Sequence, residues 1–360
     1  MKLPKLFDEK IDPQFDLSSE IARPEVVKVP LEVLTPEWRA FCEREKVQPH
    51  IVIMYKNFTG TGKIWAVNGI FGHALTRGDH GNATEQQDST SGNLGNSAAL
   101  YVRRSRLRSS AYPITRSYAV VPKSLPEGKK ARMRADGAEV IEIAGNSIEA
   151  ILFAEKDAAE HGRWYSHQYQ NIDNASGFLI PAQTIAEALP YLGLMACGIG
   201  SAGTCTGIMT YLTAAFEGRA DIAFHRAAVI VENGEHVGGV TSEETLYTRT
   251  QPWWEVVDDT RIVGEDRSYK LSSALWRLGD DTMESDAYPV GPSTGFALEG
   301  ALLAARDLSS RHLLDAHRAP DGFAHIAAPA MDMRMRYKLE YEQKGVLNLS
   351  ADKWIEPAFD

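Results

Sequence analysis

Asn57-Phe58-Thr59-Gly60-Thr61-Gly62-Lys63 is a glycine-rich turn that ends in a single lysine and separates an apolar run from a segment of helical period. On its amino side the run HIVIMY, residues 50–55, predicts a buried strand. On its carboxyl side a helix from Gly62 onward carries Ile64, Val67, Phe71 and Leu75 on one face. Strand, glycine turn and helix in that order open a parallel α/β unit. The turn is not a nucleotide-binding P-loop, which needs Gly where Asn57 stands and Ser or Thr where Ile64 stands. A lysine at a helix start is commonly a solvated side chain. Here it follows two glycines and precedes Ile64 and Trp65, and an apolar setting lowers an amine's pKa and frees its lone pair for carbonyl addition.

The same alternation recurs along the chain in two blocks. Strands are expected at 117–121 and 139–143, a basic helix at 127–135 and a helix at 147–161. A second set places strands at 192–199 and 226–231 and a helix at 204–216. After a less regular acidic stretch, a last long helix is expected at 293–308. The first 45 residues and the last 40 or so carry little pattern.

With 360 residues the chain exceeds what one compact core usually covers, so two domains, or one large α/β unit with a cleft, are expected; the division taken is 1–165 and 166–360. Its formal net charge is -10, and the densest basic patch, Arg103, Arg104, Arg106 and Arg108, reads as a solvated helix face. A nucleic-acid partner is therefore not expected. Cys42, Cys197 and Cys205 fit neither a zinc site nor a disulfide framework, which predicts a reducing, cytoplasmic setting and no metal. The opening MKLPKLFDEK is too charged for a signal peptide, and no apolar stretch approaches the roughly 18 residues of a membrane span.

Three further loops carry polar chemistry. Asp88-Ser89-Thr90-Ser91-Gly92-Asn93-Leu94-Gly95 precedes a helical stretch, where backbone amides and hydroxyls make either a carboxylate cradle or a simple N-cap. Gly200-Ser201-Ala202-Gly203-Thr204 lies between a strand and a helix, and its spacing suits one phosphate better than a dinucleotide. Gly291-Pro292-Ser293-Thr294-Gly295 starts the last long helix and alone is an ordinary cap.

In their order these four loops resemble the cysteine synthase and cystathionine β-synthase group of fold-type II enzymes dependent on pyridoxal 5'-phosphate (PLP). Asn57 to Lys63 matches the lysine motif Asn-Pro-x-Gly-Ser-x-Lys, and Thr90 to Gly95 the substrate loop Ser/Thr-Ser-Gly-Asn-Thr-Gly. Gly200 to Thr204 matches the phosphate loop Gly-Thr-Gly-Gly-Thr, and Gly291 to Gly295 the motif Gly-x-Ser-Ser-Gly. The stretch VVPKSLPEGKKARMRADGAEVI and the turn Gln168-Tyr169-Gln170-Asn171 are similar to further segments of the group. Phe58, Leu94 and Ala202 depart from the motifs, and Ile64-Trp65 stand where close relatives have Asp-Arg.

The resemblance implies a tryptophan synthase β-like fold with the cofactor in the cleft between two α/β domains. It implies a Schiff base on Lys63, Asn93 against the ring's phenolic oxygen, phosphate on Gly200, Ser201, Ala202, Gly203 and Thr204, and Ser293 at the pyridine nitrogen. A neutral serine there is expected to leave that nitrogen unprotonated. Thr90, Ser91, Gly92 and Gln168 are implied as binders of the substrate carboxylate. The implied reaction is β-replacement on a serine- or cysteine-derived amino acid through an α-aminoacrylate, with a small nucleophile as second substrate. Elimination of the desulfhydrase or dehydratase type is the alternative, and a catalytically silent binding or regulatory subunit is the alternative from another class. A homodimer is implied as well.

Overall fold

The computed structural model describes residues 3–244, 252–276 and 289–344, and among these ten strands form two sheets. In chain order they are Glu25–Lys28 (β1), Val47–Ile53 (β2), Glu85–Ser89 (β3), Arg116–Pro122 (β4), Ala138–Ile143 (β5), Trp164–Tyr165 (β6), Leu192–Gly198 (β7), His225–Val231 (β8), Asp259–Val263 (β9) and Ala324–Ala330 (β10). The larger sheet runs β1-β2-β10-β7-β8-β9 and the smaller β5-β4-β3-β6. Every pairing is parallel except β1 with β2. Strands β1 and β2, although early in the chain, belong to the larger sheet beside β10.

Parallel strands covered on both faces are mostly apolar, and β2 is buried at all seven positions, its two polar members Gln48 and His50 being hydrogen-bonded. Strand β3 breaks that rule. Its sequence is Glu-Gln-Gln-Asp-Ser, yet Gln86, Gln87, Asp88 and Ser89 are all buried. Buried polar groups must find partners, and these do. Ser117 Oγ donates to Gln86 Oε1 at 2.7 Å, Gln86 Nε2 to Ser166 Oγ at 2.8 Å, and Ser166 Oγ to Asp88 Oδ2 at 2.5 Å.

The helix Lys63–Arg77 is buried from Ile64 to Leu75, not along one stripe. It is wrapped by the helix Asn93–Arg108, by residues 173–177 and by the amino-terminal segment. Contact with residues 173–177 is backbone to backbone. A Cβ on Gly69 would stand 2.1 Å from the Asp173 carbonyl oxygen, and one on Gly177 would stand 2.0 Å from that of Trp65. The amino-terminal segment packs Phe7, Leu17 and Ile21 against the same helix cluster, with Leu17 N donating to Asn68 Oδ1 at 2.8 Å. Two arginines expected on a free helix face help to hold it: Arg104 Nε bonds Glu20 at 2.5 Å, and Arg108 Nη1 donates to the Asp16 carbonyl at 2.8 Å. Cys42, Cys197 and Cys205 are buried free thiols. No helix among the described residues is long and apolar enough to cross a membrane.

Candidate active site

Ligands of open α/β sheets gather beyond the carboxyl ends of the strands, and here the ends of β2, β7 and β10 converge. Past β2 the chain makes the turn that Asn57 organises. The Asn57 amide donates to Met54 O at 2.7 Å and to Thr61 O at 3.1 Å, while its Oδ1 accepts from Thr59 N at 2.9 Å. That folded loop delivers Lys63 to the first position of its helix. Lys63 Nζ donates to Ser201 Oγ at 3.3 Å. Burial lowers the amine's pKa to about 8, against the opposing pull of the Asp332 charge. A desolvated amine near neutrality is a nucleophile.

Past β7, Gly200 and Ser201 lead to Ala202, which holds a left-handed backbone at φ 64°, and Gly203 then begins the helix Gly203–Phe216. The first amides of a helix have no intrahelical acceptor and favour an anion. Two glycines here are obligatory. A Cβ on Gly200 would lie 2.3 Å from the Gly239 carbonyl oxygen, and one on Gly203 would lie 1.9 Å from Asn174 Oδ1. Ala202 occupies a conformation that costs an L-residue roughly 1–2 kcal/mol. Asn174 ties this loop to the turn at 168–171, its Nδ2 donating to Ser201 Oγ at 3.0 Å and to the Gln168 carbonyl at 2.7 Å.

Asn93 opens the helix Asn93–Arg108 and Ser293 lies in the first turn of Pro292–Ser310. Lys63, Asn93, Gly200, Ala202, Thr204 and Ser293 line one cavity, so residues from all four loops read in the sequence meet in one place. Ser201 touches it through Lys63, and Gly203 starts the helix behind it. Thr90, Ser91 and Gln168 do not line this cavity. Thr90 Oγ1 is engaged by Gly92 N at 3.0 Å and Gly95 N at 3.3 Å, and Ser91 is exposed. Gln168 donates its side-chain amide to the Ser89 carbonyl at 2.6 Å and its backbone N–H to Asp88 Oδ2 at 2.9 Å. Burial pushes the Asp88 carboxyl up to about 7 despite the bonds from Ser166 and Gln168. Gly92, buried at φ 130°, faces instead a neighbouring hollow of about 430 Å³ with Asn93, Lys129, Arg132 and Arg336.

The sequence reading missed the segment after β10. Asp332, 1% exposed, accepts from Asn93 Nδ2 at 2.7 Å, from Ser293 Oγ at 3.1 Å and from the Tyr337 hydroxyl. Its own carbonyl accepts from Gly291 N at 2.8 Å, and Gly62 N donates to the Met331 carbonyl at 2.6 Å. Burial raises the Asp332 carboxyl's pKa, and the Tyr337 bond and the Arg336 charge pull it back. Arg336 in turn donates to Asn93 Oδ1 at 3.2 Å, Asn96 Oδ1 at 3.3 Å, and the carbonyls of Gly60 at 3.3 Å and Thr59. A strand reading of AHIAAPA would have placed Asp332 just beyond a strand's carboxyl end, the one signal that could have found it.

The donor set suits an aldehyde-bearing, phosphorylated aromatic ring. It offers a buried amine, a helix start whose amides are uncommitted within the helix, and the polar side chains of Asn93 and Ser293 lining the same cavity. The enclosed space is about 40 Å³, room for a water or two, so side chains must yield as such a ring seats.

The family model of pyridoxal-phosphate dependent enzymes matches residues 54–314. Solved structures with the same fold include an O-acetylserine dependent cystathionine β-synthase from Helicobacter pylori, at 21% identity and TM-score 0.67, covering 89% of this chain and 96% of that one. A cysteine synthase from Entamoeba histolytica aligns at 18% identity and TM-score 0.69, over 98% and 95% of the two chains. A hydrogen sulfide-producing enzyme from Fusobacterium nucleatum aligns at 17% identity and TM-score 0.69, over 89% and 98%. No curated protein matches the sequence.

Proposed function

We propose, from the premise that the chain belongs to the pyridoxal-phosphate dependent enzyme family, that Lys63 carries the cofactor and that the reaction replaces the β-substituent of a serine- or cysteine-derived amino acid with a small nucleophile. The observation that carries this reading is the position of Lys63. A buried amine with its pKa lowered to about 8 shares one cavity with Asn93, Ser293 and the start of the helix Gly203–Phe216. When bound, PLP supplies the electron sink, and the protein supplies attachment, orientation and proton handling.

The amides at Gly203 and Thr204 would hold the phosphate, and Gly200, without a Cβ, would allow a close backbone approach. Lys63 would hold the cofactor, and with its amine free it would serve as the base that takes the substrate's α-proton. An amine titrating near 8 is matched to that task at physiological pH. Ser201, bonded to Nζ, keeps Lys63 aimed into the cavity. The loop of Thr90, Ser91 and Gly92, with Gln168, receives the substrate carboxylate. This assignment requires the loop to close, because Thr90, Ser91 and Gln168 do not line the Lys63 cavity and the Gln168 amide is spent on the Ser89 carbonyl.

Elimination to an oxoacid and ammonia is the second reading. The hollow of about 430 Å³ beside Gly92 and Asn93 favours it, since it gives water a route to the substrate loop. Titrating the PLP-loaded protein with serine, O-acetylserine, O-phosphoserine and cysteine, while following the visible spectrum and oxoacid release, separates the two. Replacement predicts a spectral change with little oxoacid until water outcompetes the nucleophile, and elimination predicts stoichiometric oxoacid. Borohydride reduction and peptide mapping test the attachment: label on a lysine other than Lys63 refutes it.

A further inference from the structure

We propose that Asp332 is the buried acid that holds the ring nitrogen of the cofactor protonated, acting through the Ser293 hydroxyl. The inference rests on the reading that Lys63 carries PLP in this cavity. Asp332 and Lys63 follow the carboxyl ends of the adjacent strands β10 and β2, which stay paired beyond the sheet through Met54 N to Ala330 O at 2.9 Å. Both residues line the cavity, and so does Ser293.

Proton bookkeeping at Ser293 decides the matter. A hydroxyl has one hydrogen and two lone pairs. Ser293 donates that hydrogen to Asp332 Oδ1 at 3.1 Å, so toward the cavity it can only accept. A pyridine nitrogen without a proton is also only an acceptor, and it would find no bond there. The protonated nitrogen is a donor, fits the hydroxyl oxygen, and carries a positive charge that the carboxylate behind the serine stabilises. Asn93 cannot turn to reverse this arrangement. Arg336 Nη1 holds its Oδ1, and its Nδ2 is committed to Asp332 at 2.7 Å.

The tight space does not displace the acid. Asp332 is fixed by Asn93, Ser293 and Tyr337 and by the Gly291 N–H on its carbonyl. Met331 lines the same cavity with a flexible thioether, so it is the side chain that gives way to a ring. From the serine alone an unprotonated nitrogen is expected; with Asp332 behind it, the protonated form is proposed. A protonated ring is the stronger electron sink.

The test is the nitrogen resonance of ring-¹⁵N-labelled PLP reconstituted into the full-length protein, with the visible spectrum read alongside. The parent and Asp332→Glu are expected to show the protonated resonance. Asp332→Asn and Ser293→Ala are expected to move it to the unprotonated position, while Met331→Leu leaves it unmoved. An unprotonated nitrogen in the parent overturns the proposal, as does an unchanged resonance in Ser293→Ala. Should Asp332→Asn fail to fold, Ser293→Ala decides alone, because it deletes one hydroxyl and keeps the carboxylate. A parent that takes up no PLP on Lys63 refutes the parent reading and this proposal together, whereas uptake on Lys63 with an unprotonated nitrogen refutes only the role of Asp332.

Discussion

The two walls of the cavity are built on different terms. The wall made by the Asn57 to Lys63 turn and the Gly200 to Thr204 loop is mostly backbone: a folded turn, two glycines pressed against neighbours, a helix start and one lysine. The wall made by Asn93, Ser293, Asp332, Arg336 and Tyr337 is a web of side chains bonded to one another. A backbone wall tolerates no added atoms but little depends on any one side-chain charge. In a side-chain wall each residue orients the next, so removing one unsettles the rest.

Gly203→Asp should give the largest effect. It places a side chain where a Cβ alone would be 1.9 Å from Asn174 Oδ1 and a negative charge at an anion-binding helix start. Cofactor uptake, followed by the visible band after dialysis against PLP, is expected to vanish, and retention would show that this wall does not hold the phosphate. On the other wall Arg336→Met removes bonds to Asn93, Asn96 and the Gly60 and Thr59 carbonyls. A loss on the order of 3 kcal/mol is expected in denaturant unfolding. A change under about 0.5 kcal/mol would mean that the web is not coupled.

pH sharpens the contrast in cofactor-free protein. The Lys63 pKa is lowered on folding, so the folded state binds fewer protons than the unfolded chain between about 8 and the ordinary 10.5, and parent stability rises with pH across that window. Lys63→Met should therefore be more stable than the parent below pH 8, with the difference fading as pH approaches 10.5. Asp88, raised from 3.8 to about 7, has the opposite sign: the parent loses stability as pH climbs through that range, and Asp88→Asn should gain on it there. Thermal unfolding across pH reads both, and parallel curves would contradict them.

The smallest expected effect is at Ala202. With φ at 64° the alanine is strained, and Ala202→Gly relieves that strain while adding chain entropy to the unfolded state. A net gain of up to about 1 kcal/mol is expected in denaturant unfolding. A loss would mean that the buried methyl contributes more than the strain costs.

The same division explains what could be read in advance. The basic helix at 127–135 was expected with the boundaries it has, because its charges and Pro126 mark both ends. The loops of the backbone wall announce themselves through glycine spacing, which reflects local geometry. Strand β3 was invisible, since Glu-Gln-Gln-Asp-Ser has no apolar alternation and owes its burial to Ser117, Ser166 and Gln168 arriving from elsewhere. Asp332, Arg336 and Tyr337 were unreadable for a related reason: their partners at 59–96 and at 293 are more than thirty residues away in sequence. Asn174, which bridges Gln168 and Ser201, likewise has no local signature.

Strand β10 has a consequence for anyone who shortens this protein. The recognisable part of the sequence stops at residue 314, ten residues before the strand that lies between β2 and β7 in the middle of the larger sheet. A chain cut at that apparent boundary would lose a central strand, not a tail. It would leave two buried strands, β2 and β7, with unpaired backbone groups facing each other across a gap, a template for pairing with other chains. Such a fragment should aggregate before its chemistry could be assayed, and an inactive truncation would then report a broken sheet instead of a missing catalytic group.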